Sequence, residues 1–204
     1  MKSVRLRTEY LSNPQGIDIA VPRLSWNCTD GKIQSAYRIK AWDEEGSSVW
    51  DTGKVLSGQM VHILWNGRKL KSRDHISWKV RLWEEAEEPG EWSQEAFFEM
   101  GFLADHDWKA SWITGNYMVN RYRRYPVDCF RKKFHIYKEV KKARLYATAC
   151  GLYELCLNNT RVGDFVLAPG ITDYNKRVQY QTYDVTALLL SQENEMTLML
   201  ADGW

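Results

Sequence analysis

The chain has 204 residues, 44% of them hydrophobic and 13% aromatic, which is enough apolar material for one large core or two small ones. Its 28 basic and 26 acidic residues are interspersed and leave a net charge of +2, too weak a field to argue for a nucleic-acid or membrane partner. Four cysteines, at positions 28, 129, 150 and 156, form no CxxC pair and have no His-rich companion, which excludes the common zinc spacings.

The N-terminal stretch MKSVRLRTEYLSNPQG has no apolar signal-peptide core, and nowhere do eighteen apolar residues run together. The chain therefore reads as cytoplasmic and untethered, with its cysteines as buried free thiols in a reducing compartment. Short strands separated by turn signals then follow one another for a hundred residues, the spacing of an all-β sandwich. Arg23–Trp26 and Tyr37–Trp42 alternate, and Asp43-Glu44-Glu45-Gly46 reads as a turn. Val49–Val55 carries Gly53, the mark of a bulge or an edge strand. Residues 76–83, ISWKVRLW, are the clearest strand, with Ile76, Trp78, Val80 and Leu82 on one face and Ser77, Lys79 and Arg81 on the other. Residues 84–91, EEAEEPGE, read as a solvated turn, and residues 96–101 close a sandwich of about seven strands. His62 and His75 have no partners nearby in sequence and read as exposed polar residues at strand ends.

Alternation stops at residues 102–107, so the first domain is expected over 1–103 and a second over 104–204. In the second, strands are expected at 129–136, 143–150, 151–157, 179–184 and 196–200. Arg131 and Lys133 alternate with Phe130 and Phe134, as the solvated face of a strand does. Asn158-Asn159 sits where a two-residue hairpin needs positive φ, and Ala168-Pro169-Gly170 fits a type II turn. These strands make about two-thirds of a jelly-roll sandwich. A strand ending at Leu200 is expected to lack neighbours, leaving sheet edges open to self-association or poor order past residue 190.

The ordered series PRLSW, YRIKAW, VWDTGKV, WNGRKL, ISWKVRLW, EWSQEAFFEMG, DWKASWI, FRKKF, ARLYATACGLYELCLNN, RVGDFVLAPGITDY, RVQYQTYDVTALL and ADGW resembles the N-terminal part of bacterial α-L-rhamnosidases of glycoside hydrolase family 78. The resemblance runs through essentially the whole chain. It implies an all-β fragment, an immunoglobulin or fibronectin type III-like sandwich followed by a truncated, carbohydrate-binding-like jelly roll. It also implies a partner domain outside the chain, an (α/α)6 barrel that removes terminal α-L-rhamnose with two carboxylates standing roughly 6.5 to 9.5 Å apart. No catalytic residue is therefore assigned here. The sequence departs from the family pattern at Asn159, where Gly is usual, at Ile171, where Trp is usual, and at Ile76, where an aromatic is usual.

Two readings of residues 157–189 stay open. In one, Gly163, Pro169 and Gly170 make turns, Asp164 and Asp184 brace them, and Tyr174, Tyr180 and Tyr183 anchor sheet corners. In the other, Asp173, Tyr174 and Asn175 bind the hydroxyls of a rhamnosylated glycoside, since planar acceptors and an aromatic platform hold sugars. Tyr117, Tyr122 and Tyr125 form the rival sugar site, or a face for the absent barrel. Calcium, which some modules of this kind use to grip rhamnose, needs six to eight oxygens at one place, and the spacing does not support it. No cofactor is expected for catalysis. A stand-alone carbohydrate-binding or adhesion protein is the alternative function.

Overall fold

The computed structural model describes residues 1–31, 33–84, 88–118, 120, 122–123 and 125–203. Residues 85–87 of the expected solvated turn, Arg121, Arg124 and Trp204 lie outside the described residues. The chain divides into two units, Met1–Ala110 and Ser111–Trp204.

Among the described residues the first unit holds nine strands: β1 (Lys2–Thr8), β2 (Gln15–Ile17), β3 (Arg23–Thr29), β4 (Ala36–Asp43), β5 (Ser48–Asp51), β6 (Val55–Leu56), β7 (Ile63–Leu64), β8 (His75–Trp83) and β9 (Ala96–Met100). One sheet runs β1-β3-β7 and the other β2-β9-β8-β4-β5, with β6 paired to β4. All neighbours are antiparallel except β2 and β9. The alternation of residues 76–83 has the consequence expected of it. Ile76, Trp78 and Val80 are fully buried and Leu82 nearly so. Each such aliphatic side chain contributes about 1.5–3 kcal/mol. They meet Trp26 and Leu24 of β3 and Phe98 of β9 in one core. Gln34, buried itself, accepts the Trp26 indole N–H at 3.0 Å and donates to the carbonyls of Ser57 and Gln59. β5 is an edge strand, and Gly53 just beyond it takes φ +61°.

Strands β1, β2 and β7 have no counterpart among the runs read from the sequence, and β5 and β6 fall on the single run expected at 49–55, so nine strands stand among the described residues where about seven were expected. His62 and His75 do find partners, brought from far along the chain. The Tyr10 hydroxyl lies 2.7 Å from His62 Nε2, while His75 stacks on Phe97 with Nδ1 3.4 Å from the buried Glu99 carboxylate.

The second unit holds β10 (Asp128–Ile136), β11 (Arg144–Thr148), β12 (Leu152–Leu157), β13 (Thr160–Arg161), β14 (Tyr180–Asp184) and β15 (Gln192–Ala201). The sheets are β10-β15-β12-β13 and β11-β14. Their core gathers Ala147, Tyr153, Leu155, Leu157, Val162, Ala168 and Val185. The expectation of an orphaned last strand is overturned. β15 starts four residues earlier than expected and is central, paired with β10 over residues 192–200 on one side and with β12 over residues 196–201 on the other. Its backbone donors are satisfied, and the residues past 190 form the longest strand of the unit. On the solvent side Arg131 pairs with Glu195 and Lys133 with Glu193, so the basic face of β10 meets an acidic face on β15.

The cysteines are free, but they are not buried. Cys129 and Cys150 are exposed and Cys28 and Cys156 half-buried, because Cys129 and Cys156 alternate with the core-facing residues and Cys150 lies in the bend before β12. Among the described residues no helix is long and apolar enough to cross a membrane.

Candidate functional site

Residues 157–184 are built around two turns. Asn158 and Asn159, at φ +53° and +63°, form the two-residue connection between β12 and β13, with Leu157 opposite Thr160. Such a turn needs positive φ at both central positions, and Asn tolerates it next best to Gly. The Asn158 side chain also works inward. Its Nδ2 donates to Leu188 O and to Asn194 Oδ1, both at 2.8 Å, and its Oδ1 accepts Glu195 N–H at 2.9 Å. Asn194 is buried and closes the same corner with bonds to both backbone groups of Leu190.

The second turn is not of type II. Gly170 N–H donates to Leu167 O at 3.0 Å and the Ala168–Pro169 peptide is cis, which puts Pro169 at the third position of the turn rather than the second. Beneath it, Tyr153 donates its backbone N–H to Ala168 O, and Gln181 Nε2 donates to Pro169 O at 3.0 Å. The Tyr153 hydroxyl lies 2.9 Å from Gln181 Oε1 and 3.1 Å from the Tyr183 hydroxyl. Burial and the Tyr183 hydrogen bond push the Tyr153 phenol far up, so it stays protonated as a brace. Gly163, at φ +71°, lets the Tyr183 ring lie where a Cβ would meet it at 2.3 Å. Asp184 accepts Thr186 N–H, as a bracing residue should, whereas Asp164 bonds to none of the described residues. Tyr153, Gln181 and Asn194 were not singled out from the sequence. Polar residues standing at core-facing positions of β12, β14 and β15 were the available signal.

The candidate sugar residues fall into two groups. Asp173 Oδ1 accepts from the backbone and side-chain amides of Asn175, and Oδ2 lies 3.3 Å from Lys176 Nζ. Asp173 O takes the N–H groups of Lys176 and Arg177, so this segment is a self-bonded turn. Tyr174 turns back toward the chain. Its hydroxyl is shielded from solvent without a hydrogen-bond partner, near Gly203. In the other group, Tyr117 and Tyr125 stack with centroids 4.9 Å apart. Tyr125 Oη accepts Asn120 N–H, and Tyr117 donates to Asp128 at 3.0 Å. That hydrogen bond, then burial, then the charges of Asp128 and Asp202, raise the Tyr117 phenol. Tyr122 stands out at 81% exposure.

The two groups flank one point. Tyr117 donates to Asp128, which pairs with Leu200 of β15, and Tyr174 adjoins Gly203, so both lie at the end of the four-stranded sheet where β15 stops. The tyrosine pair stacks on itself and Asp173 directs its oxygens to the turn, while Tyr122 and Asn175 are exposed. Among the described residues no three His, Cys, Asp or Glu side chains converge as a metal site. Two open cavities lie in the first unit. One of about 550 Å³ is bordered by Trp92, Glu91 and Glu95, and another of about 610 Å³ by Tyr37, Trp50, Asp51 and His62.

Comparison with known proteins places these features. Residues 3–104 match the model described as Rha78A-like, N-terminal immunoglobulin domain, and residues 138–204 match the α-L-rhamnosidase N-terminal domain. The chain is 36% identical over 211 residues to an α-L-rhamnosidase of Alteromonas sp., covering 96% of this chain and 23% of that protein. It is 33% identical to one of Formosa agariphila, covering 95% and 23%. Among solved structures, α-L-rhamnosidases from Dictyoglumus thermophilum (35% identity, TM-score 0.88) and Aspergillus terreus (30%, TM-score 0.91) superpose on all of this chain and on 25% and 24% of theirs. The chain thus spans about a quarter of the length of these relatives.

Proposed function

The chain belongs to the family of Rha78A-like N-terminal immunoglobulin domains, and from that premise we propose that it is the non-catalytic, two-module N-terminal portion of an α-L-rhamnosidase. It holds and presents, while the carboxylates that cleave terminal α-L-rhamnose stand on polypeptide outside it. The observation that carries this reading is the match of the whole chain to about a quarter of proteins named for that activity. The carboxylates that border the two open cavities of the first unit agree. A glycosidase acid needs an environment that keeps it protonated, usually apolar burial. Glu91 and Glu95 are exposed, Glu95 lies 3.5 Å from Lys79, and Asp51 is held ionised by Arg38.

The finer reading assigns glycoside contact to the end of the four-stranded sheet, through Tyr122 and Asn175, with Tyr117, Tyr125, Asp173 and Tyr174 shaping the support. The grouping of both clusters about Asp202–Gly203 supports it. The four unbridged cysteines favour a reducing, cytoplasmic setting. The test is an assay of the purified 204-residue chain on an aryl α-L-rhamnoside. No release of the aryl group above buffer is expected, and turnover abolished by Glu91→Gln or Glu95→Gln would overturn the reading.

A further inference from the structure

Phe165, Val166 and Leu167 are three consecutive apolar residues, exposed to 51%, 69% and 52%, and Ile171 on the same connection is exposed to 62%. Three exposed apolar residues in a row are a liability in a folded domain unless something covers them. This segment is not slack chain. Phe165 O accepts Arg161 Nη2, Leu167 O accepts Gly170 N–H, Ala168 O accepts Tyr153 N–H and Pro169 O accepts Gln181 Nε2. Ala168 and Pro169 fill the interior, and Leu167 is held at φ +58°. With the Ala168 and Pro169 carbonyls held by Tyr153 and Gln181 and both residues buried, the side chains of 165–167 stay on the exposed side of the connection. Trp112, Ile113 and Met118 are also exposed, but among the described residues their backbone is held only by the Tyr125 hydroxyl, which donates to Met118 O at 3.2 Å.

We propose that this ridge is a preformed docking surface for the rest of the rhamnosidase polypeptide, where it seats in an apolar groove. The inference rests on the function proposed above and names the surface that does the docking. Three considerations select this occupant. In the relatives about three-quarters of the polypeptide lies outside the matched part, in the same chain as a fold similar to this one at a TM-score of 0.91. The solvent face of β10 and β15 is a ladder of ion pairs, a poor place for it. A sugar is a poor occupant of the ridge, because Val and Leu offer hydroxyl groups no hydrogen bonds. A braced ridge also loses little conformational entropy on docking. The neighbouring Arg161–Glu154 pair, 3.3 Å apart and exposed, supplies a polar rim of no net charge.

The test compares hydrogen exchange of a peptide covering residues 163–171 in this chain and in the whole polypeptide that carries it. The amides of 165–167 donate to none of the described residues, so they exchange fast in the isolated chain. At least tenfold slower exchange is expected in the whole polypeptide, lost in Phe165→Ser/Val166→Ser/Leu167→Asn and in Val166→Asp alone. Melting of the same variants in the 204-residue chain, expected unchanged, shows that they fold. Equal exchange in both contexts would overturn the inference. So would protection that grows with concentration in the isolated chain, which assigns the ridge to a second copy. Rhamnoside turnover by the whole polypeptide is read separately. A protected ridge on a polypeptide without turnover keeps the docking surface and removes the proposed function, and turnover with an unprotected ridge does the reverse.

Discussion

Asp51 shows how a single carboxylate ties an edge strand to its sheet. Arg38 on β4 donates Nε and Nη2 to its two oxygens at 2.8 and 2.7 Å, and Gly53 N–H donates at 3.0 Å. The Arg38 hydrogen bond dominates, partial burial opposes it, and the Gly53 amide and nearby cations add to it, so the carboxyl falls from 3.8 to about 2. Because the folded value lies below the unfolded one, the stabilisation is complete above about pH 4 and is lost as pH falls through about 2. With both side chains about a third exposed, it amounts to about 1 kcal/mol or less. The urea midpoint of Asp51→Asn should therefore lie below that of the parent at about pH 6, and the gap should close between about pH 4 and pH 2. A gap independent of pH would assign the loss to packing rather than to charge. Glu9, with its side chain 8% exposed and hydrogen-bonded to Arg23, is lowered in the same sense and adds to the acid sensitivity of the parent.

At the scale of elements, the β12–β13 hairpin separates two asparagines with one backbone requirement and different duties. Both sit at positive φ, but Asn158 bonds Leu188, Asn194 and Glu195 whereas the exposed Asn159 side chain bonds nothing described. Asn159→Gly should raise stability by about 0.5 kcal/mol, because Gly takes the left-handed conformation without cost. Asn158→Gly keeps the turn yet strips the buried Asn194 of a partner, and should cost about 2–3 kcal/mol. Urea unfolding of the pair checks both signs, and equal effects would mean that the corner network does not contribute. The turn itself was legible, since Asn-Asn between alternating runs has a stereochemical cause. The corner network was not, because Asn194 lies 36 residues away and only β15 carries it there. The same division holds elsewhere. Strand β8 could be read from residues 76–83, as its partners on both sides are unnecessary to the period. Strands β6 and β7, two residues each, exist only through pairing with β4 and β3. The candidate sugar residues were legible as residue types, but whether Asp173 offers its oxygens outward or to Asn175 is decided by local backbone geometry that composition does not encode.

For the molecule as a whole, the order of strands in space was the least legible feature. An alternating run close to the last residue reads as an edge, and only the long antiparallel registers with β10 and β12 make β15 the middle of its sheet. The two cores differ in kind. Among the described residues the core of the first unit gathers sixteen apolar residues, including Trp26, Trp65 and Trp78, while that of the second gathers eight, three of them alanines and one Tyr153, beside the buried Asn194. Apolar area removed from water is the main favourable contribution to folding, so the second unit should be the less stable. No residue belongs to both cores. Calorimetry of the 204-residue chain should therefore resolve two transitions, the lower from Ser111–Trp204. Leu157 and Leu82 are each 1% exposed in their own core, and truncation of such a leucine costs about 2–5 kcal/mol. Leu157→Ala should lower only the first transition and Leu82→Ala only the second. A single transition moved by both variants would mean that the two units unfold as one, and the quarter-length portion would then be a single cooperative block rather than two modules in series.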